Sequence, residues 1–264
     1  MPFPAPQPPK AAATITGPLK RLLQAGLGRF GYRLVRLDGA PLPNALPHFF
    51  SMIKKLGFAP RHVIDVGANK GNWTREAIKF FPSASYILIE PQDCLKVHVR
   101  DLIACGKVRW INAGASDRSG RSLFYISDND ESGSFLPPEP PARVAVGQPV
   151  LVELRTLNEI VASGDAPLPD MVKIDAEGLD LRVLSGASHL VGKTDIFFLE
   201  AAVVCRAGFQ NTLLEVVRRM ADSGYTLIDF THLNRSPKYG VLWLCEAVFL
   251  RNGSPLLDGV ASYQ

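Results

Sequence analysis

The chain has 264 residues, of which 47% are hydrophobic and 20% are charged. This composition is sufficient to bury a core and excludes a wholly disordered chain. No apolar run reaches the roughly 18–20 residues that cross a bilayer, so we expect no transmembrane helix. No period of about 20–50 residues repeats, which argues against a solenoid.

The positive charge is concentrated at the N-terminus. The formal net charge is 29 − 25 = +4. Residues 1–36 carry six basic side chains and no acidic one, which leaves 23 basic and 25 acidic residues in 37–264, a net charge of −2. Because binding to a phosphate backbone needs a concentrated basic face, this near-neutral body predicts no nucleic-acid partner.

The N-terminal region has two interpretations. Residues 1–17 are rich in proline and alanine and predict a disordered tail, and residues 18–57 predict a basic helical segment. One interpretation docks this segment on the main domain. The other gives residues 18–36 a peripheral contact with an anionic membrane surface, or a role in pairing subunits in a homo-oligomer.

The cysteines and the chain start indicate a compartment. The four cysteines have no CxxC spacing, so neither a zinc site nor a disulfide framework is expected. The first residues lack the charged and apolar regions of a signal peptide. We therefore expect a cytoplasmic protein. If residues 18–36 contact a membrane, we expect the protein to act at its inner face.

Strands and helices alternate through the main body. The predicted strands are His62–Val66, Tyr86–Ile89, Val108–Asn112, Leu123–Ile126, Leu151–Leu154, Met171–Ile174, Ile196–Leu199, Tyr225–Phe230 and Val241–Leu250. The predicted helices are Thr74–Phe81, Asp93–Ala104, Leu157–Ala162, Leu181–Leu190 and Thr212–Ser223. This order predicts an α/β fold whose mostly parallel sheet has helices on both faces and an antiparallel C-terminal hairpin.

The first strand ends in a glycine-rich turn. The turn contains Gly67 and Gly71, with Asn69 between them and Asp65 just before. The dinucleotide pattern GxGxxG is missing, and an acidic residue here suits a cofactor that carries an ammonium group and no pyrophosphate. Glu90, at the end of the second strand, lies where a carboxylate can accept both hydroxyl groups of a ribose. The alternative is that Asp65 caps the turn and Glu90 is a solvated strand end.

Five segments resemble a known family. The segments are Asp65-Val-Gly-Ala-Asn-Lys-Gly71 with Ile89-Glu-Pro91, Asn112-Ala-Gly-Ala-Ser-Asp117, Val172-Lys-Ile-Asp-Ala-Glu-Gly178 and Phe198-Leu-Glu200. They resemble the FkbM family of class I S-adenosylmethionine-dependent methyltransferases, over roughly residues 58–250. The resemblance implies a Rossmann-like domain at 58–252 with a seven-stranded sheet, followed by a tail at 253–264.

The resemblance also implies a cofactor and its site. The cofactor is S-adenosyl-L-methionine, and the product is S-adenosyl-L-homocysteine. Its methionine part is expected on Asp65, Gly67, Asn69 and Gly71, its ribose on Glu90, and its adenine edge near Ser116 and Asp117. Family members are mostly O-methyltransferases of sugar or polyketide hydroxyl groups, including those of bacterial glycans and glycolipids.

Charged residues on or just after the predicted strands Met171–Ile174 and Ile196–Leu199 are the candidates for catalysis. A hydroxyl acceptor needs a general base or a metal within hydrogen-bond reach. The candidates are Asp175, Glu177 and Glu200, with Lys173 on the strand itself. A divalent cation on these carboxylates is an alternative, but the spacing shows no dedicated ligand set, so no metal site is assigned. Glu177 could instead cap the next helix, and His232 is a further candidate base.

Other functions stay open at this stage. A methyltransferase acting on RNA, DNA or protein, a nicotinamide-dependent oxidoreductase and a non-catalytic binding module are the alternatives. The segment Asp175–Gly178 differs from the Asp/Asn-Pro-Pro-Tyr/Phe pattern of DNA amino-methylating enzymes, and the missing GxGxxG disfavours the oxidoreductase. The sequence does not identify the acceptor.

Overall fold

The computed structural model describes residues 26, 45–126, 133–135, 149–204, 211–236 and 238–258. The chain divides into two compact units, Met1–Pro41 and Leu42–Gln264, and all described residues except Gly26 belong to the second. The predicted tail 1–17 lies outside the described residues, as does the predicted membrane-contact segment 18–36 apart from Gly26. No helix within the described ranges has the length and apolarity needed to cross a bilayer.

Seven strands form the main sheet, in the order β3-β2-β1-β7-β8-β10-β9. Their bounds are β1 His62–Val66, β2 Ser85–Glu90, β3 Val108–Asn112, β7 Met171–Ile174, β8 Ile196–Ala202, β9 Tyr225–Arg235 and β10 Leu242–Arg251. The first five strands of this order are parallel, whereas β10 is antiparallel to both of its neighbours. The predicted fold class is confirmed, including the closing hairpin.

Helices cover both faces of this sheet. They are α1 Ala45–Lys55, α2 Asn72–Phe80, α3 Arg100–Ala104, α4 Leu157–Ala162, α5 Asp180–Ser185 and α6 Leu213–Asp222, with 3-10 turns at Asp93–Val99 and Pro255–Leu257. Buried residues of α4, α5 and α6 pack on one face, and those of α1 and α2 on the other. Helix α1 lies within the range 18–57 that the sequence analysis assigns to the N-terminal segment, yet it shares an apolar cluster with the sheet.

Aromatic contacts fix α1 on the sheet. Phe49 of α1 meets Phe198 of β8 edge-on, with ring centroids 5.5 Å apart. Phe50 contacts Trp73 of α2 at 5.5 Å, and Trp73 in turn lies 5.2 Å from Phe198. Such edge-to-face pairs add about 0.5–1.5 kcal/mol each to the burial of the rings. Trp73, next to the glycine turn, is thus a packing residue.

A second, three-stranded sheet has the order β4-β6-β5. It consists of β4 Gly114–Ala115, β5 Gly120–Phe124 and β6 Val150–Arg155. The predicted strand Leu151–Leu154 was expected to belong to the regular strand–helix alternation, but it pairs outside the main sheet. None of the six residues of β6 is buried, whereas a strand at the centre of a doubly covered parallel sheet would be buried on both faces.

Several predicted boundaries were wrong. Strand β8 continues to Ala202, so Glu200 lies inside the strand, and β9 continues to Arg235, so His232 is an exposed strand residue. The predicted helix 93–104 is a 3-10 segment followed by a short α-helix, and α5 ends at Ser185 instead of residue 190. Antiparallel pairing with β10 extends both strands beyond the apolar runs that predicted them.

Candidate functional site

Charged side chains interrupt one apolar face of the main sheet near the carboxyl ends of its parallel strands. Asp65 of β1 is the register partner of Lys173 on β7, which is the partner of Phe198 on β8. Two residues after Phe198 along β8, Glu200 is the register partner of Glu246 on β10. Register partners point to the same face, so these groups share one crevice.

Asp65 is the deepest of these groups. Its side chain is fully buried, and its Oδ2 accepts a hydrogen bond of 2.6 Å from the Thr74 hydroxyl on α2. Its Oδ1 lies 3.6 Å from Lys173 Nζ and receives no hydrogen bond from any described residue. Burial raises the pKa of Asp65, and the Lys173 cation opposes that shift. One buried carboxylate oxygen is therefore left to accept a donor.

The glycine turn between β1 and α2 requires its glycines. Gly67 has φ +69°, and a Cβ there would meet the main-chain oxygen of Asp175 at 1.9 Å. Gly71 has φ +75°, and a Cβ there would meet Val99 Cγ1 at 2.5 Å. Asn69, between them, also adopts a left-handed backbone with φ 48°, which asparagine tolerates better than most residues. The predicted motif is thus a tightly folded turn that brings β1 close to β7.

Glu90 closes the same turn from β2. Its Oε2 accepts the main-chain N–H of Asn69 at 2.9 Å, and its Oε1 accepts that of Gln92 at 3.0 Å. The side chain is buried, and burial raises its pKa while the two N–H groups lower it. A carboxylate has about four lone-pair sites, so each oxygen retains capacity for a further donor. The carboxylate is therefore not the solvated strand end of the alternative interpretation.

Lys173 is the cation at the centre of the crevice. Its Nζ donates to Asp175 Oδ2 at 3.0 Å and to the Gly67 carbonyl at 3.3 Å. Burial lowers the pKa of this ammonium, but the carboxylates of Asp175 and Asp65 raise it by more, so the net shift is upwards. Lys173 therefore stays charged and neutralises part of the surrounding acidic cluster.

The turn after β7 is strained. Asp175 follows the last strand residue, and 36% of its side-chain surface is exposed. Glu177 has φ 51°, an uncommon value for a residue with a side chain, and Gly178 follows with φ 94°. Residues held in such conformations concentrate at active sites, where the surrounding fold enforces them. The strain thus agrees with a functional interpretation of the turn.

Glu200 has an environment that favours its neutral form. Burial is the main cause that raises its pKa to about 10, and the carboxylates of Asp175, Asp180 and Glu177 add to the shift. At neutral pH this carboxyl group therefore keeps its proton. It can donate a hydrogen bond, but it is a poor base in this state.

Ser116 and Asp117 lie beyond β4, in the turn that leads to β5. The buried Ser116 hydroxyl donates to Asp117 Oδ1 at 2.9 Å. Arg182 of α5 donates to the same oxygen through Nη2 at 2.8 Å, and this bond lowers the pKa of Asp117. The turn is thereby fixed against α5 as an ionised Asp–Arg pair.

Thr74, Asp180 and Glu246 are polar residues at this site that were not predicted from the sequence. Thr74 bonds Asp65; Asp180 is buried with its pKa raised to about 8 by burial and by Asp175; and Glu246 has its pKa raised to about 7, mainly by burial. Glu246 also accepts a hydrogen bond from the Thr231 hydroxyl. A signal was present for Glu246, since it is the only charged residue in the run Leu242–Leu250.

The residues fit a methyl donor of the expected kind. Asp65 Oδ1, which lies near the Lys173 cation but accepts no hydrogen bond from the described residues, can accept one from an ammonium group, and the spare acceptor capacity of Glu90 matches a pair of ribose hydroxyls. Within the described ranges, no group of three or more His, Cys, Asp or Glu side chains is arranged to hold a metal ion. The structure brings Asp65, Gly67, Asn69, Gly71 and Glu90 together.

Comparison with known proteins identifies the class of the chain. A family model described as the methyltransferase FkbM domain matches residues 65–227. The 2-O-methyltransferase NoeI of Sinorhizobium fredii (strain NBRC 101917 / NGR234) is 25% identical over 150 residues. That match covers 52% of this chain and 62% of the length of NoeI, so the chain spans less than two thirds of this relative.

Two solved structures match the chain at low sequence identity. The crystal structure of methyltransferase FkbM from Methylobacillus flagellatus KT has 15% identity and a TM-score of 0.47, covering 72% of this chain and 43% of that one. That of a putative O-methyltransferase from Klebsiella pneumoniae has 14% identity and a TM-score of 0.47, covering 90% and 92%. Because the family model covers more than half of the residues, the chain belongs to the FkbM methyltransferase family.

Proposed function

We propose that this methyltransferase uses S-adenosyl-L-methionine to methylate a hydroxyl group, on a sugar of a glycan or glycolipid or on a polyketide-type natural product. The observation that carries the donor assignment is the pair of buried carboxyl groups on adjacent strands, Asp65 and Glu90, on either side of the glycine turn. The similarity to NoeI, a relative named as a 2-O-methyltransferase, supports O-methylation. The net charge of −2 over residues 37–264 disfavours nucleic acid as the acceptor.

In the proposed mechanism, the chain mainly positions the reactants. When bound, S-adenosylmethionine supplies a methyl group on a sulfonium. Asp65 and the Gly67 carbonyl would hold the amino end of the donor, Glu90 the ribose, and the Ser116–Asp117 turn the adenine edge. Holding donor and acceptor in line removes much of the entropic barrier to the displacement.

The turn after β7 and strand β8 are proposed to supply a general base and a hydrogen-bond donor, respectively. Asp175 is proposed as the base because its carboxylate is partly exposed to the crevice and is held by Lys173. As the base, it would take the proton of the acceptor hydroxyl when that oxygen receives the methyl group, whose bond to the sulfonium sulfur would break and leave its electron pair on sulfur. Glu200 holds its own proton at neutral pH and would orient the acceptor oxygen as a hydrogen-bond donor. Glu177 is proposed to shape the turn that carries Asp175.

The test is transfer of a labelled methyl group from S-adenosylmethionine to a panel of glycans, glycolipids and polyketide alcohols. We expect an alkali-stable methyl ether and stoichiometric S-adenosylhomocysteine. The Asp65→Asn variant should be inactive, whereas Asp222→Asn, exposed at the end of α6, should retain full activity. Transfer to RNA or protein with none to hydroxyl groups would replace the acceptor proposed here.

We also propose that residues 18–36 make peripheral contact with anionic membrane, which would suit a lipid-linked acceptor. The support is the segment's basic and apolar pattern. A chain without residues 1–36 should sediment less with anionic liposomes while still methylating a water-soluble acceptor. Unchanged sedimentation would contradict this proposal.

A further inference from the structure

Asn211 is a buried polar residue at the carboxyl end of β8 that the mechanism above does not use. Its side chain is 3% exposed. Its main-chain carbonyl accepts the N–H of Ala202, the last residue of β8, at 3.0 Å, and the next residue, Thr212, caps α6. Asn211 is therefore held at the end of the sheet where ligands bind in open α/β folds.

The donor side of the Asn211 amide is fully engaged. Its Nδ2 lies 2.9 Å from the main-chain oxygen of Glu200 and 2.9 Å from Oδ2 of Asp180. A main-chain carbonyl can only accept, so the nitrogen must face it and the orientation of the amide is determined. The Asn211 oxygen cannot exchange places with the nitrogen without losing the bond to the Glu200 carbonyl.

The acceptor side of the amide has no partner. Asn211 Oδ1 is buried and receives no hydrogen bond from any residue in the described ranges. Buried acceptors in folded proteins are nearly always satisfied, so this atom calls for a hydrogen-bond donor that the described residues do not supply. Because Oδ1 and Nδ2 belong to one planar amide, the oxygen lies beside the end of β8, close to Glu200.

The surrounding charge selects the class of donor. The carboxyl groups of Asp175, Asp180 and Glu177 all act on Glu200, which favours its neutral form. A phosphate or carboxylate ligand would be repelled by these groups, whereas a neutral hydroxyl can donate to Oδ1 at little electrostatic cost. Strand β8 is two strands away from β1, which carries Asp65, and this corresponds to roughly 10 Å at ordinary strand spacing. Asn211 is therefore distant from the place proposed for the amino end of the methyl donor.

We infer that Asn211 is an acceptor-binding residue, whose side-chain oxygen accepts a hydrogen bond from a hydroxyl group of the methyl acceptor. The inference rests on the proposed function, since it assigns a hydroxyl-bearing acceptor to the same crevice. It adds a residue outside the motifs that carry the family resemblance. It also gives the acceptor a contact that is independent of the base.

The test combines a variant with altered acceptors. Wild type and Asn211→Ala are compared on methyl hexopyranosides and on their monodeoxy analogues, each with one hydroxyl removed. One of the hydroxyl groups that is not methylated should be the one that contacts Asn211. For wild type, the deoxy analogue that lacks this hydroxyl should have a kcat/KM about 10-fold below that of the parent glycoside, mainly because KM rises. Asn211→Ala should lose a similar factor on the parent glycoside and nothing more on that deoxy analogue. Asn252→Ala, exposed after β10, is the matched control.

A second readout needs no turnover. Chain labelled with ¹⁵N-asparagine should show a shift of the Asn211 side-chain amide resonance when the glycoside is added, and no shift with the one deoxy analogue. An equal response to all analogues, or none at saturating donor, overturns the inference while donor binding stands. If calorimetry detects no binding of S-adenosylhomocysteine, the proposed function fails and the inference falls with it.

Discussion

Replacing Glu246 by glutamine should change how stability depends on pH. The ordinary pKa of 4.5 rises to about 7 in the folded chain, mainly because the crevice removes much of the water around this half-buried side chain. Between these pH values the folded state keeps a proton that the unfolded state loses. The free energy of unfolding therefore falls as the pH rises, by up to about 1.4 kcal/mol per pH unit for this group.

The structure sets the size of this effect. The shift from 4.5 to about 7 spans 2.5 pH units, which corresponds to about 3 kcal/mol at pH 8 and to none at pH 4. Glutamine keeps an oxygen that can accept the Thr231 hydroxyl but cannot ionise. The variant should therefore match wild type at pH 4 and exceed its stability by up to about 3 kcal/mol at pH 8, a large part of a typical domain's stability.

Urea unfolding followed by fluorescence at pH 4 to 8 measures both curves. The difference between wild type and Glu246→Gln should grow through pH 4.5–7 and then stay constant. Glu153→Gln, exposed on β6, is the matched control and should run parallel to wild type. Parallel curves for wild type and Glu246→Gln would refute the argument, because they would mean that the carboxyl ionises as readily when folded as when unfolded.

Three further predictions concern the crevice. Gly67→Ala should lower the free energy of unfolding in urea by at least about 2 kcal/mol, because its Cβ would overlap the Asp175 carbonyl. The control Gly106→Ala has a similar φ but open space around the new Cβ, so it should lower this free energy by only about 1 kcal/mol. Equal losses in the two variants would contradict the close approach of Gly67 to Asp175. Lys173→Met should lower stability by about 3–5 kcal/mol at pH 8, since it strands two carboxylates, and an unchanged denaturation midpoint would show that the cation is dispensable. In steady-state kinetics Asp175→Asn should lower kcat at least about 100-fold, whereas Glu200→Gln should lower it far less because that carboxyl is already neutral; the reverse order would exchange their roles.

Much of the fold could be predicted from the sequence because its strands are short apolar runs. Strands β1, β3 and β7 were predicted with their observed bounds, and so was α4, where Thr156 and Glu159 form a capping box. The missing part was long-range pairing. Nothing local to residues 150–155 shows that they pair with Gly120–Phe124 in a separate sheet, and alternation with helices suggested a place in the main one.

The site was predictable where one short segment carries it. The glycine turn and Glu90 lie at the ends of predicted strands, so their proximity followed from parallel pairing. The residues that set the protonation states in the crevice were harder to predict from the sequence. Glu246, for example, reaches the crevice only because its strand pairs in antiparallel register with Glu200. Asn211 likewise depends on a loop that returns to the end of β8. Such contacts come from tertiary structure and leave no periodic signal in the chain.

The central claim is that Asp65 and Glu90 hold the amino and ribose parts of a methyl donor, and isothermal titration with S-adenosylhomocysteine tests it most directly. We expect one molecule bound per wild-type chain, with binding weakened at least about 10-fold in both Asp65→Asn and Glu90→Gln and unchanged in Asp222→Asn. Absence of binding to the folded wild-type chain, or equal affinity in all four proteins, would contradict it.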